Sequence, residues 1–290
     1  MDSSRGTPIL TSIEDVRTQI ARVRARGSNI GFVPTMGALH VGHAELIRMA
    51  SRDCDLVVVS IFINPTQFGP REDFAKYPRT LDADRELCQS AGADLIFAPD
   101  VKTMYPDGPS TTYVEVPGLS DVFEGAARPG HYRGVATVVL KLLGITRPDR
   151  AYFGQKDYQQ QLVLRRMVSD LNVPVEIVTV PTVRESDGLA MSSRNRYLDA
   201  ADRRAAVVLS RALAEAEGAV RGGERSADRV RQIMAQTIES ERRVSLEYVQ
   251  VVDAATLAPL DRLGEGKQAV ALLAARVGPA RLIDNAILPD

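Results

Sequence analysis

The amino-acid sequence predicts an α/β protein with a doubly wound parallel sheet, followed by a smaller α+β C-terminal domain. Three observations carry this reading. Patterns of strand and helix period alternate five times up to Val180, the order that right-handed crossovers turn into a parallel sheet. Asp55–Ile63 is an almost unbroken apolar, β-branched run, as a strand covered on both faces must be. After Tyr197 the texture changes to two Ala- and Arg-rich helical patterns followed by three strands. A boundary therefore falls near Arg184–Asp187, giving domains 1–185 and 186–290.

Taken in order, Ile13–Arg26 has helical spacing (Ile13, Val16, Ile20, Val23) with Gly27 as its stop. Ile30–Pro34 is the first strand and Gly42–Ser51 the helix after it. Asp55–Ile63 runs into the loop Asn64–Gly69. Thr80–Ala91 is a helix, Ala93–Ala98 a short strand ended by Pro99, and Thr111–Val116 a short strand within a Pro- and Gly-rich stretch. Val135–Ile145 is an apolar helix, Ala151–Phe153 a strand, Asp157–Asp170 a helix and Val175–Val180 a strand. In the second domain, helices at Asp199–Arg221 and Ser226–Ser240 precede strands at Leu246–Val252, Ala269–Val277 and Arg281–Leu288.

The 290 residues are 44% hydrophobic and 25% charged, with 36 Lys and Arg against 37 Asp and Glu, a net charge of −1. That balance calls for neither a nucleic-acid nor a membrane partner. The Met1–Thr11 stretch lacks the apolar core of a signal peptide, and no run is long enough to span a bilayer, so a soluble cytoplasmic protein is expected. Cys54 and Cys88, the only cysteines, have no metal-ligand spacing and read as thiols in a reducing compartment.

In a doubly wound sheet ligands lie beyond the carboxyl ends of the strands. The loops to watch are thus Thr35–His43, Asn64–Gly69, Gly154–Gln161 and Pro181–Arg196. Thr35–His43 joins a strand to a helix, so backbone N–H groups and the positive end of the helix dipole meet there, a ready phosphate site. It holds Met36, Gly37, Ala38, Leu39, His40, Val41, Gly42 and His43. The two histidines, three apart, share one face of a helical turn. They admit three readings: metal ligands, for which further ligands are lacking nearby; polar turn residues; or donors to phosphate oxygens. Gly154, Gln155, Lys156 and Asp157 again lie between a strand and a helix. Lys156 is placed to reach phosphate, and Asp157 to cap the helix or hold a ribose hydroxyl. Met191, Ser192, Ser193 and Arg194 follow Gly188 in an Arg-rich loop that suits either phosphate or water. The amides of Gln67 and Gln160 can donate to a carboxylate and accept from a hydroxyl. His131 and Arg133, in a Gly130–Gly134 loop, are further candidate substrate contacts. The Phe68–Tyr77 segment has the composition of a lid.

Met36-Gly37-Ala38-Leu39-His40-Val41-Gly42-His43 resembles the His-x-Gly-His signature of the nucleotidyltransferase and class I synthetase superfamily, whose fold is Rossmann-like. Together with Phe62–Phe68, Tyr77–Thr80, Phe153–Gln160 and Asp187–Asn195, in that order, the chain closely resembles the pantothenate synthetase (pantoate–β-alanine ligase) family from Ile30 to Asn285.

The resemblance implies an AMP-forming ligase that condenses (R)-pantoate with β-alanine through an enzyme-bound pantoyl adenylate, releasing AMP and pyrophosphate. It implies that Met36–His43, Gly154–Asp157, Val183 (through its backbone) and Met191–Arg194 bind ATP. His43 would hold the proton-donor position, with His40, Lys156, Ser192, Ser193 and Arg194 also catalytic. Gln67 and Gln160 would hold pantoate, with Gln67 also near β-alanine; a shift of register by one would put Gln161 in place of Gln160. Mg²⁺ is expected on the ATP phosphates with no protein metal site, the second domain is expected to close over the site, and a homodimer is expected. The competing readings are a nucleotidylyltransferase moving AMP or CMP onto a phosphate-containing acceptor, and a non-catalytic nucleotide-binding module. Paired glutamines and the long second domain disfavour the first, and a full set of phosphate-seeking groups disfavours the second.

Overall fold

The computed structural model describes residues 6–69, 74–108 and 110–289. Residues 1–5 of the N-terminal stretch and 70–73 of the expected lid lie outside the described residues. The chain forms two compact units: one runs to Gly154 and resumes over Gln159–Pro181, the other joins Gln155–Tyr158 to the chain from Thr182 onward.

The first unit is built in the order β1 (Ile9–Leu10), α1 (Ile13–Arg24), β2 (Ile30–Thr35), α2 (Val41–Asp53), β3 (Leu56–Ile61), α3 (Leu81–Ala91), β4 (Leu95–Phe97), α4 (Val101–Met104), α5 (Glu124–Ala127), α6 (His131–Thr146), β5 (Arg150–Gly154), α7 (Tyr158–Asp170) and β6 (Glu176–Val180). Its six strands lie in the order β1-β4-β3-β2-β5-β6, and every pairing is parallel. The predicted doubly wound sheet is therefore present. The direction of winding reverses between β2 and β5, so the switch-point crevice opens where those two strands end. Val57, Val58 and Val59 of β3 are fully buried, which is why that strand reads as a continuous apolar run rather than an alternation. Helix α2 turns Ala44, Ile47 and Ala50 onto the sheet among Val33, Val57, Val59 and Tyr152.

The second unit adds α8 (Ala200–Ala206), α9 (Val208–Arg221), α10 (Ala227–Glu239), β7 (Val244–Asp253), β8 (Ala269–Val277) and β9 (Ala280–Ile287). Its three strands form an antiparallel sheet in the order β7-β8-β9. Leu209, Ala212, Leu213, Ala216, Val230, Met234 and Ile238 of the helices share one core with Val251, Ala271, Leu273 and Ala275 of the sheet.

The structure corrects four element assignments. The strand β1, pairing with β4 through Ile9 and Leu10, is too short to leave a periodic signal. No strand forms at Thr111–Val116; the Val114 N–H instead donates to the Thr137 hydroxyl at 2.9 Å. The predicted helix Asp199–Arg221 is two helices, because the Val207 N–H bonds Ala205 rather than the carbonyl four residues back. Helix α6 starts at His131, not Val135, with Gly130 supplying a left-handed N-cap at φ 80°. His131 and Arg133 thus belong to a first helical turn rather than a loop.

That early start brings Gly134 against the loop after β3. A Cβ on Gly134 would lie 2.5 Å from the Thr66 carbonyl oxygen and 2.8 Å from Gln67 Cα. Both obstacles are backbone, so Gly134→Ala must push the helix and loop apart. The expected outcome is a loss of about 1–3 kcal/mol in stability by urea unfolding, together with impaired handling of any ligand that uses Gln67.

Candidate active site

The turn after β2 has an unusual backbone. Gly37 lies at φ 83° and Ala38 at φ 52°, and a Cβ on Gly37 would come within 3.0 Å of Asp84 Oδ2. Left-handed geometry turns successive N–H groups inward, and side chains of the first unit meet them. Gly37 N–H donates to Thr35 Oγ1 at 3.2 Å, Ala38 N–H to Asp84 Oδ2 at 3.1 Å and Leu39 N–H to Asp84 Oδ1 at 2.8 Å. His40 N–H donates to His43 Nδ1 at 3.3 Å, and Gly42 N–H to His40 Nδ1 at 3.2 Å.

The backbone of the turn is thus partly engaged by the protein itself. Five of the turn's N–H groups already have protein acceptors. What the turn offers an anion is the imidazole pair. His40 is the N-cap of α2 and His43 sits at its third position, so the two rings form a reciprocal capping box, a role usually filled by Ser or Thr with Glu. The ring centroids are 4.1 Å apart, tilted by 42°. Because each Nδ1 accepts a backbone N–H, each neutral ring carries its proton on Nε2. Two Nε2–H donors at the positive end of α2 are suited to charge developing on phosphate oxygens.

Beyond β3, Asn64 is 1% exposed and organises the next loop. Its Oδ1 accepts from the Tyr105 hydroxyl at 2.8 Å, the Thr66 hydroxyl at 3.0 Å and the Thr66 N–H at 3.3 Å. Its Nδ2 donates to Gln67 Oε1 and to the Gly134 carbonyl, each at 3.2 Å. Gln67 Nε2 in turn lies 2.9 Å from Met36 Sδ, joining two of the predicted site segments. His131 Nδ1 contacts the Gln67 carbonyl at 2.9 Å, and its Nε2 contacts Arg128 Nη1 at the same distance. Both ring nitrogens thus face protein groups, so His131 holds the Gln67 backbone.

The three consecutive glutamines of α7 separate by role. Gln159 donates to the Leu119 and Val122 carbonyls and accepts from Glu124 N–H. Gln161 accepts from Arg165 Nε and the Thr179 hydroxyl through Oε1. Gln160 is half-buried, and its amide makes no hydrogen bond among the described residues.

In the second unit, neighbouring residues of β9 anchor two predicted loops. Asn285 Nδ2 donates to the carbonyls of Gln155 and Lys156, both at 2.9 Å. Asp284 accepts both Arg184 guanidinium donors at 2.6 and 3.1 Å. The Tyr158 hydroxyl adds a bond to the Ala254 carbonyl at 2.8 Å. Arg184 pairs with Ala190 in an antiparallel bridge, and Met191 N–H bonds the Val183 carbonyl at 2.9 Å. The segment is therefore a hairpin that turns at Gly188, φ 93°. Ser192 then caps a 3₁₀ turn over Ser193–Tyr197, its Oγ accepting from Arg194 N–H at 3.3 Å. Lys156 Nζ reaches Asp157 at 3.5 Å, a long contact for a cation still able to meet phosphate.

Arg203, from α8, clamps the hairpin. It donates to Glu185 at 2.8 Å and to both oxygens of Asp187 at 2.7–2.9 Å, while Asn195 Nδ2 donates to the same Glu185 carboxylate at 2.8 Å. The Arg203 hydrogen bond holds the Glu185 carboxyl below its ordinary value. Burial works against the Asp187 charge, but Arg203 and the Leu189 N–H outweigh it and hold that carboxyl low as well. Asp84, Asn64, Tyr105, Arg203 and Asn285 were not singled out by sequence. Of these only Asn64, in an Asn-Pro turn dipeptide, carries a local signal.

Among the described residues no helix is long and apolar enough to cross a membrane, and no group of three or more His, Cys, Asp or Glu is placed to hold a metal ion. Comparison with known proteins gives a consistent set of relatives. The family described as Pantoate-beta-alanine ligase matches residues 8–287. The pantothenate synthetase of Moorella thermoacetica is 55% identical over 280 residues, covering 97% of this chain and 98% of its own. That of Heliobacterium modesticaldum is 55% identical over 279 residues, covering 95% and 98%. The crystal structure of pantothenate synthetase from Thermus thermophilus matches with a TM-score of 0.91 at 46% identity, over 98% of this chain and 100% of that one. The pantoate-beta-alanine ligase from Francisella tularensis, complexed with beta-gamma ATP and beta-alanine, matches with a TM-score of 0.79 at 34% identity over 97% of each chain.

The clamp has a pH signature. Folding lowers the Glu185 and Asp187 values, so their stabilisation is complete above the ordinary carboxylate range near pH 4 and is lost as pH falls through the depressed values. Arg203→Gln lacks the clamp at every pH. The stability gap between wild type and variant should therefore be constant from neutral pH down to about 5 and close in stronger acid, as followed by urea unfolding across that range.

Proposed function

The chain belongs to the pantoate–β-alanine ligase family, and from that premise we propose how its residues join pantoate to β-alanine at the expense of ATP. The observation that carries the assignment is the imidazole pair of α2, where both Nδ1 atoms accept backbone N–H groups and both rings therefore carry their proton on Nε2.

In the first step a pantoate carboxylate oxygen attacks the α-phosphorus of ATP. A P–O bond forms, the bond to the bridging oxygen of the β-phosphate breaks, and pyrophosphate leaves. Negative charge accumulates on the phosphate oxygens during the attack. Donors fixed beforehand stabilise that charge without reorganising. We assign this to His43 foremost and to His40, with Lys156, Ser192, Ser193 and Arg194 meeting the phosphates and Val183 the adenine through its backbone. Gln67 and Gln160 hold pantoate. Gln67 is suited to this because its Nε2 rests on a thioether, a weak acceptor, that a carboxylate can replace at little cost.

In the second step the neutral amine of β-alanine, held near Gln67, attacks the acyl carbon of pantoyl adenylate. The C–N bond forms, the acyl C–O bond breaks, AMP departs and the amine loses a proton. Activation is needed because a carboxylate is a poor electrophile, and enclosure of the mixed anhydride keeps water from competing. The cations, hydroxyls and imidazoles of these loops suit phosphate oxygens rather than a divalent metal, so Mg²⁺ is assigned to the ATP phosphates, where it would neutralise part of their charge. A cytoplasmic homodimer is the assembly proposed, on family resemblance alone.

Pantoate-dependent exchange of labelled pyrophosphate into ATP, without β-alanine, tests the adenylate. Exchange is expected, and its absence in the presence of pantoate would remove this route. His43→Ala should slow that exchange by ~10²–10³. Because His43 Nδ1 also closes the capping box, a stability loss of about 1 kcal/mol should accompany it. A slowing no greater than the unfolded fraction explains would reduce His43 to a cap.

A further inference from the structure

Asp84 is a carboxylate 2% exposed on the inner face of α3. Burying such a charge is costly unless donors surround it. Its donors are the Ala38 N–H on Oδ2, the Leu39 N–H on Oδ1 and the Thr80 hydroxyl on Oδ1 at 3.2 Å. Among the described residues no Lys or Arg forms a salt bridge with it. Consecutive backbone N–H groups converging from a left-handed turn make an anion-binding concavity. Here the anion in that concavity is the protein's own.

The consequence runs along the chain. Asp84 fixes the orientation of the Leu39 peptide, and the next N–H, that of His40, is the one that donates to His43 Nδ1. The acceptor state of Nδ1 decides that the His43 proton resides on Nε2. A neutral imidazole without that contact would populate both tautomers, and the Nδ1–H form has no Nε2 donor to offer phosphate. We propose that Asp84 is a positioning residue which, through the backbone of Ala38–His40, locks His43 in the tautomer that presents an Nε2–H donor. Gly37 belongs to the same device, since a Cβ there would stand 3.0 Å from Asp84 Oδ2.

The inference rests on the ligase reading above, and Asp84→Asn tests it. Asn keeps the shape but has one acceptor oxygen, so one of the two backbone N–H groups must face an NH₂ donor. Two quantities are measured on folded enzyme: the kinetics of pantoate-dependent pyrophosphate exchange, and the His43 tautomer by long-range ¹H–¹⁵N NMR. The expected result is a fall of ~10–100-fold in the exchange kcat with KM for ATP within about twofold, because only the alignment of a transition-state donor is lost. In the same variant the Nδ1–H form of His43 should become populated. An unchanged kcat overturns the proposal. So does a lowered kcat with His43 still wholly in the Nε2–H form, which would make Asp84 merely structural. If Asp84→Asn does not fold, Thr80→Val removes one donor to Oδ1 and should lower the exchange kcat by about two- to fivefold with a matching tautomer shift; no change in either overturns the proposal. Wild-type enzyme run alongside separates the two readings. Its failure to exchange would sink the adenylate route itself, whereas normal exchange by wild type and variant alike sinks only the role of Asp84.

Discussion

The first unit depends on how the backbone donors of one turn are satisfied. A strand that feeds a helix through a left-handed turn exposes a row of N–H groups, and a buried N–H without an acceptor is destabilising. In many nucleotide-binding turns a phosphate is that acceptor. Here Thr35, Asp84, His40 and His43 supply it from within. Five donors of the turn are consequently met before any ligand arrives, and the imidazole N–H groups beside them are suited to phosphate. Preorganised donors stabilise charge that develops during a reaction without having to move first.

The second unit follows a similar logic with different parts. Asp284 and Asn285 are adjacent on β9. Asp284 grips the Val183–Met191 hairpin through Arg184, and Asn285 holds the Gln155 and Lys156 carbonyls. The register of one antiparallel strand therefore sets where two of the second unit's loops stand. Arg203 and Asn195 brace the hairpin on its other side through Glu185 and Asp187. Glu185 is half-buried and Asp187 exposed, and removing Arg203 leaves both without their cation.

Much of the fold was legible because it is written in periodicity. The continuous valines of β3, the inward row Ala44, Ile47 and Ala50 of α2, and the alternation up to β6 all follow from which faces must be dry. Less legible were features that depend on partners distant in sequence. Thr111–Val116 has strand composition, yet the Val114 N–H finds the Thr137 hydroxyl instead of a neighbouring strand. Sequence places the start of α6 too late because Gly130 reads as a loop residue, whereas its left-handed conformation caps the helix. Gln159, Gln160 and Gln161 are chemically identical in sequence and differ only in what surrounds them: among the described residues, two have their amides engaged by hydrogen bonds and one does not.

The sequence by itself determined the architecture and the family, and it supplies the residue types to which the chemistry is assigned. Hydrophobic period, turn residues and ordered motifs are local properties, and local order is what a chain displays before it folds. Only the tertiary structure decided how those residues are held: that Asp84, far along the chain, accepts the Ala38 and Leu39 N–H groups of the turn; that the histidines cap a helix through Nδ1; and that His131 steadies Gln67. The first and last of these are contacts across a long sequence separation, and the capping geometry depends on the turn that Asp84 holds. Burial makes an unmet donor or an unpaired carboxylate too costly to keep. Such pairings leave no pattern in the chain and come into being only when the elements pack.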